Sequence, residues 1–121
     1  MSTTKPLLYW TATVLIAFVF VASGMFKLFP GEKAAEMAKG FGSAENVLTL
    51  GILELIIATV WVIRRTGIIG TLLAVAYMGG AIAVHLVTHQ SLLIPVVVET
   101  LVVGAAFVRF PELTQRLLDW E

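Results

Sequence analysis

Four long apolar stretches, separated by short polar segments, dominate the hydrophobic pattern of the chain. They cover residues 7–29 and about 47–63, 67–87 and 92–108. An α-helix rises about 1.5 Å per residue, so about twenty apolar residues cross the roughly 30 Å of bilayer hydrocarbon. The pattern therefore predicts an all-α, polytopic membrane protein, a bundle of four transmembrane helices forming a single domain over residues 1–121.

The connections between these stretches are short, with one exception. Three residues, 64–66, join the second and third stretches, which predicts a tight antiparallel hairpin. The exception is the predicted outer loop, residues 30–46. Within it, residues 32–39 are good helix formers and are followed by Gly40 and Gly42, so a short surface helix is expected there.

The two ends of the chain need separate interpretation. Lys5 before an apolar core and the small residues 22–24 also fit a signal peptide, but the length of the apolar run favours a membrane span. After the fourth stretch, Leu113, Leu117 and Trp120 predict a second short helix lying on the inner face of the membrane.

Basic residues are distributed unequally between the two sides of the predicted bundle. One side carries Lys5, Arg64, Arg65, Arg109 and Arg116, and the other carries Lys33 and Lys39. The positive-inside rule then places both termini in the cytoplasm.

Aromatic residues cluster near the ends of the predicted spans. Tyr9, Trp10, Trp61, Phe107 and Phe110 fall near the inner interface, and Phe26, Phe29 and Phe41 fall near the outer one. This distribution predicts an aromatic belt at each interface, with aromatics merely scattered along apolar helices as the alternative.

Composition excludes several classes of function. The chain is 59% hydrophobic and 13% charged, far from the balance of a soluble domain, and its formal net charge is zero. With no basic field and no nucleic-acid motif, nucleic acid is not an expected partner. Cysteine is absent, so thiol chemistry and iron–sulfur ligation are excluded and redox work needs a cofactor or a partner. The expected partners are the lipid bilayer, a lipophilic small molecule, redox proteins or further copies of the chain.

Small residues recur at a spacing of four in the third span. The pairs are Gly70 with Ala74, Ala76 with Gly80, and Gly79 with Ala83, and Gly104 begins a small-residue group in the fourth span. Helices associate in lipid through close approach at such positions, so we expect helix packing there.

Ionisable residues inside the spans are the strongest functional signal. A charge at mid-membrane costs about 2.5 to 3.5 kcal/mol on insertion scales. Lys27, Glu54, His85 and Glu99 all fall at similar depth in the outer half of the predicted bundle. Tyr77 lies eight residues before His85, on nearly the same helical face. These five residues are the predicted lining of a ligand-binding pocket that opens toward the outer leaflet.

The four residues other than Tyr77 each have a simpler interpretation. Lys27 can extend to the outer headgroups, His85 can be an interfacial histidine, and Glu54 and Glu99 can make structural hydrogen bonds between helices. His85 and His89 have the spacing of paired metal ligands, but no acidic residue completes a motif, so no metal site is predicted.

Three segments together resemble the DoxX-like family of small four-helix membrane proteins. They are residues 22–28 (ASGMFKL), 51–54 (GILE) and 77–81 (YMGGA), the last leading to His85. The resemblance covers nearly the whole chain and implies a four-helix bundle. Since the family's name comes from a thiosulfate:quinone oxidoreductase, it also implies, by analogy, a subunit connected with quinone-linked oxidation. The absence of cysteine argues against an independent sulfur-redox role.

These observations lead to three alternative functions. The first is a binding module or accessory subunit of a redox complex, in which a quinone forms hydrogen bonds with His85, Glu54 or Lys27. The second is a stand-alone enzyme of isomerase or proton-transfer type acting on a lipophilic substrate. The third is a transporter or assembly factor, which requires oligomerisation because four helices are few for alternating access. The expected location is a bacterial inner (plasma) membrane.

Overall fold

The computed structural model describes residues 4–118, and this part of the chain is helical without strands. Its helices are α1 (Thr4–Leu28), α2 (Ala34–Phe41), α3 (Ala44–Val62), α4 (Gly67–Val87), α5 (Leu93–Arg109) and α6 (Pro111–Leu118). The predicted all-α class is confirmed. Trp120, assigned to the last short helix by its sequence, lies outside the described residues.

The four long helices form a closed ring. Helix α1 packs against α3 and α5, and α4 packs against the same two helices from the opposite corner. Because short connections make consecutive helices antiparallel, every neighbour in the ring is antiparallel and the diagonal pairs are parallel. We call the end with residues 29–46 the loop end and the end with Arg64, Arg65 and Arg109 the arginine end.

Most of the ring has the length and composition of membrane spans. The segments Pro6–Leu28, Ala44–Val62 and Arg64–Val87 each qualify, while α5 has 17 residues and meets α6 at a bend of 92°. Seventeen residues are at the lower limit for crossing the hydrocarbon. The chain is therefore an integral membrane protein with three spans, or four when α5 is included.

Two glycines allow α1 and α3 to approach closely. A Cβ atom built on Gly24 would lie 3.0 Å from the carbonyl oxygen of Gly51, and one built on Gly51 would lie 3.0 Å from that of Gly24. Small residues permit such backbone contact, and this contact is the main way helices attract each other in lipid. The crossing fixes the height at which the side chains of α1 and α3 meet.

The small residues of α4 behave unequally. Gly70 packs against the backbone of Trp61, where an added Cβ would lie 2.6 Å from the Cα atom. Gly79, Gly80 and, on α5, Gly104 have open space beside them in the described chain. The close packing predicted at those three positions is thus absent there, because Gly79 and Gly104 are exposed and Gly80 faces a cavity between the helices.

The connection between α1 and α3 contains the short helix that the sequence predicted. Gly42 ends α2 with a positive φ of 98°, and the Ser43 hydroxyl then caps α3 by accepting a hydrogen bond from the Asn46 amide at 3.1 Å. Helix α2 packs on α3 and brings Phe41 over the loop end of the ring.

The predicted inner aromatic belt is wrong for three of its members. Trp61 is completely buried, Tyr9 and Phe110 are nearly so, and only Trp10 among these is exposed. The reason is Arg109, whose buried guanidinium lies over the rings of all three residues inside the bundle.

Candidate ligand-binding cavity at the loop end

A cavity of about 440 Å³ lies between the four long helices near the loop end. Every helix of the ring contributes to its wall, and Phe41 of α2 adds a further ring. Its apolar lining includes Val19, Phe20, Leu50, Val84 and Val98, and its polar lining is Ser23, Lys27, Glu54, Tyr77 and His85. The structure thus brings four of the five predicted site residues together.

An ion pair joins two helices at the cavity wall. The Lys27 Nζ atom lies 2.8 Å from Glu54 Oε2, and it also donates a hydrogen bond to the Ser23 hydroxyl at 2.8 Å. The two charged side chains are only 12% and 4% exposed, so the alternative interpretation, in which Lys27 extends to the outer headgroups, does not hold.

The glycine crossing explains why these two residues meet. Lys27 lies three residues after Gly24, and Glu54 lies three residues after Gly51. Because the two helices are antiparallel, Lys27 lies about one turn nearer the loop end than Gly24, and Glu54 lies about one turn nearer the arginine end than Gly51. A Cβ atom built on Gly51 would lie 3.0 Å from the Lys27 Cβ atom, so the long Lys27 side chain starts beside Gly51 and extends along α3 to the Glu54 carboxylate. Mutual neutralisation then lowers the cost of placing both charges in an apolar bundle.

Tyr77, on the helix α4 that lies diagonally opposite α1, contributes a hydroxyl to the cavity wall. Its ring packs against Phe20 with centroids 5.9 Å apart, and its hydroxyl faces the Glu54 carboxylate. The contact between Phe20 and Tyr77 spans the interior of the ring between α1 and α4.

His85 lines the same cavity eight residues after Tyr77 on α4, nearer the loop end. Its Nδ1 atom is 2.7 Å from the Ala81 carbonyl oxygen, which can only accept, so Nδ1 carries the hydrogen. The Nε2 atom is left available to a ligand. His89 lies beyond the end of α4 with a positive φ of 59°, so it does not share a helix face with His85. No group of three potential metal ligands occurs among the described residues.

Glu99 is the predicted residue that the structure places elsewhere. The cavity wall on α5 is formed by Ile94, Pro95 and Val98, and Glu99 is not part of it. The next residue along a helix is rotated by about 100°, which turns Glu99 away from that face. Glu99 is half-buried, and its Oε1 atom has no hydrogen-bond partner among the described residues.

Two lining residues that lie beside Lys27 were not predicted as part of the site. Ser23 was noted only as one of the small residues 22–24, and Phe41 was assigned to the outer aromatic belt. The spacing of four between Ser23 and Lys27 was the available signal for the first, since residues four apart on a helix contact each other. Phe41 lies 5.8 Å from the Lys27 Nζ atom, a contact that depends on the position of α2 and has no local signal.

The arrangement suits hydrogen bonding to a mostly apolar ligand. An ammonium, a carboxylate, a phenol and an imidazole stand on walls that are otherwise aliphatic and aromatic. Ile94 lines the cavity although 72% of its surface is exposed, so the cavity reaches the outside of the bundle. In a membrane that outer surface faces lipid, from which an apolar molecule can enter.

Comparison with known proteins gives one match. The family model described as the DoxX-like family matches residues 11–108, which include every residue of the polar lining. No curated protein and no solved structure matches the chain significantly. Because the matched segment is most of the sequence and includes most of each helix of the ring, the chain belongs to the DoxX-like family.

Proposed function

We propose that the loop-end cavity binds a lipophilic molecule with carbonyl or hydroxyl groups, such as a quinone, and that the chain serves a membrane redox complex as a binding or accessory subunit. The observation that carries this proposal is the grouping of Lys27, Glu54, Tyr77 and His85 in one otherwise apolar cavity. Ligand sites typically combine apolar walls with a few convergent polar groups in this way.

The size and the donors of the cavity support a quinone. Its volume of about 440 Å³ lies within the range of small-molecule sites, roughly 300 to 1,000 Å³. Quinone carbonyls only accept hydrogen bonds, and the Lys27 ammonium and the Tyr77 hydroxyl are donors beside the cavity. The hydrocarbon tail of such a ligand would contact the aliphatic walls and leave toward the lipid.

Two residues beside the cavity are able to accept and release protons. The Glu54 carboxylate and the Nε2 atom of His85 can each hold or release a proton. A bound quinone would supply the oxidation and reduction chemistry, and the chain would orient it and exclude water from it.

Equilibrium binding of ubiquinone-1 to the purified protein in detergent tests the proposal. We expect Tyr77→Phe to weaken binding by about fivefold to tenfold, since it removes one hydrogen-bond donor to a quinone carbonyl. His85→Ala should weaken binding by a similar factor for the reduced form, ubiquinol-1, whose hydroxyl can donate to the Nε2 atom. The matched controls are Glu99→Gln, outside the cavity wall, and His89→Ala, beyond the end of α4, and both should bind as the wild type does. Equal binding by all variants, or no binding by the wild type, would contradict the proposal.

A stand-alone enzyme is the second candidate, because a carboxylate and an imidazole share the cavity. Such a pair can act as general acid and base on a lipophilic substrate. Purified protein that chemically converts its co-purified lipophilic ligand without a partner would favour the enzyme. A ligand that is retained unchanged would favour the binding or accessory role.

A further inference from the structure

A second cavity of about 760 Å³ lies at the arginine end, across the bundle from the first. Its charged lining consists of Arg64, Arg65 and Arg109 against the single carboxylate of Glu112. We call this cavity the arginine cleft. It shares no residue with the loop-end cavity, so its role is independent of the function proposed above.

Arg109 is an unusual feature of this cleft because only 3% of the residue is exposed. Its Nη1 atom donates to the Trp61 carbonyl oxygen at 2.6 Å and its Nη2 atom donates to the Tyr9 hydroxyl at 3.0 Å. Its Nε atom has no partner among the described residues, and no described carboxylate lies within 4.0 Å of the guanidinium. A buried charge without a counterion is costly, so an anion bound beside Arg109 would lower that cost.

The Tyr9 hydroxyl is the meeting point of two cations. It accepts hydrogen bonds from Arg109 and, at 3.1 Å, from the Arg64 Nε atom. Its own hydrogen is not donated to any described residue. Arginine side chains have donors only, and the acceptors that they contact here, the Tyr9 hydroxyl and the Trp61 carbonyl oxygen, are both neutral.

We propose that the arginine cleft binds a phosphate group, and that this phosphate belongs to an anionic phospholipid of the surrounding leaflet. Guanidinium groups pair with phosphate oxygens in a two-pronged geometry, and several arginines around one anion are a typical phosphate site. The cleft lies at the ends of α1, α4 and α5, the level of the lipid headgroups. Its wall also includes the apolar side chains of Leu8, Ile68 and Val108, which suit the upper acyl chain of a lipid.

Native mass spectrometry of the protein reconstituted with dioleoyl phosphatidylglycerol or dioleoyl phosphatidylcholine tests this assignment. The Arg109→Met variant is not suitable, because Arg109 also holds Trp61 and Tyr9 and its loss can unfold the bundle. The test variants are therefore Arg64→Gln and Arg65→Gln, and the matched control is Arg116→Gln, an exposed arginine on α6 outside the cleft.

The wild type should retain phosphatidylglycerol in preference to phosphatidylcholine. Each cleft variant should bind phosphatidylglycerol about fivefold more weakly, since a basic residue near anionic headgroups contributes about one kcal/mol. The Arg116→Gln control should match the wild type. Equal retention of phosphatidylglycerol by the wild type and both cleft variants would overturn the proposal.

Two further experiments distinguish a bound lipid from other anions. In the first, the melting temperature of the protein is measured with inorganic phosphate and with phosphatidylglycerol. If inorganic phosphate stabilises the protein as much as phosphatidylglycerol does, the assignment of the phosphate to a lipid would be overturned. The acids Asp119 and Glu121 lie outside the described residues, and the variant Asp119→Asn with Glu121→Gln should leave lipid retention unchanged. Increased retention in that variant would mean that the chain's own carboxylates fill the cleft, which would also overturn the proposal.

Discussion

Glu54 shows how a single carboxylate is accommodated in the middle of an apolar helix. Its neighbours along α3 are aliphatic, and its partner comes from another helix at a distance of 2.8 Å. Lys27 in turn is held by Ser23, four residues earlier on its own helix. The pair therefore depends on both helices at once, and either charge alone would remain buried without compensation.

A double-mutant cycle on Lys27 and Glu54 measures this dependence. We expect Lys27→Met and Glu54→Gln each to lower the free energy of unfolding by about 3 to 5 kcal/mol, because each leaves one buried polar partner unmatched. The double variant should lose clearly less than the sum of the two. Unfolding in mild detergent, followed by circular dichroism, gives the three values.

The matched control for this cycle is Glu99→Gln. Glu99 is half-buried and forms no ion pair with a described residue, so the substitution should change the free energy of unfolding by less than about 1 kcal/mol. Additive losses in the double variant, or an equally large loss at Glu99, would contradict the assigned role of the ion pair.

At this scale the sequence identified Lys27, Glu54, Tyr77 and His85 because titratable groups stand out in apolar spans. It also grouped Glu99 with them, since position along a helix gives depth but not the direction in which a side chain points. Arg109 was counted only as a basic residue near a helix end, where exposure is usual. Its burial depends on aromatic rings from other helices, which no local pattern reveals.

Helix packing in this bundle depends on where glycine meets backbone. The crossing of α1 and α3 leaves little room for a Cβ atom at Gly24 or Gly51, and the contact of Gly70 with the Trp61 backbone leaves none. Gly104 has open space beside it. Glycines of similar appearance in the sequence thus have opposite roles in the structure.

Alanine substitutions at Gly70 and Gly104 should separate these roles. Gly70→Ala should destabilise the protein by about 1 to 3 kcal/mol, because the methyl group meets the rigid backbone of Trp61. Gly104→Ala should be stabilising by up to about 1 kcal/mol, since alanine is the better helix former where space is free. The melting temperatures of both variants, measured in the same detergent, provide the comparison. Shifts of the two melting temperatures in the same direction would count against the described packing.

The elements themselves were largely predictable, and their contacts were not. Apolar runs of about twenty residues and the glycines after residue 39 gave the helices, including α2. The spacing of small residues on α4 predicted close contact at Gly79 and Gly80 as strongly as at Gly70. Only the order of helices around the ring decides which of these faces meets a neighbour, and spacing contains no information about that order.

The whole molecule is a ring with a distinct cavity at each end. The loop-end cavity contains one ion pair and groups that can accept and release protons, whereas the arginine cleft has an excess of positive charge. Both described ends of the chain, the start of α1 and helix α6, lie at the arginine end. The excess of basic residues there predicts that this end faces the cytoplasm.

Cysteine labelling can test that orientation cleanly, because the chain contains no cysteine of its own. In intact cells a membrane-impermeant maleimide should label Lys33→Cys in the loop, and it should label Arg116→Cys on α6 only after lysis. The reverse pattern would mean that the arginine end lies outside. Labelling of both sites in intact cells would contradict the placement of the two ends on opposite sides.

The short helix α5 has a consequence for the surrounding bilayer. Its 17 residues rise about 26 Å, whereas the 21 residues of α4 rise about 32 Å, so the hydrophobic height of the protein is uneven around its circumference. Lipid beside α5 must thin, or α4 must tilt, to hide both helices from water. The turn of 92° into α6 lets that helix lie flat where the thinning occurs. We therefore expect the protein to deform its membrane locally and to fit best where acyl chains are short or compressible.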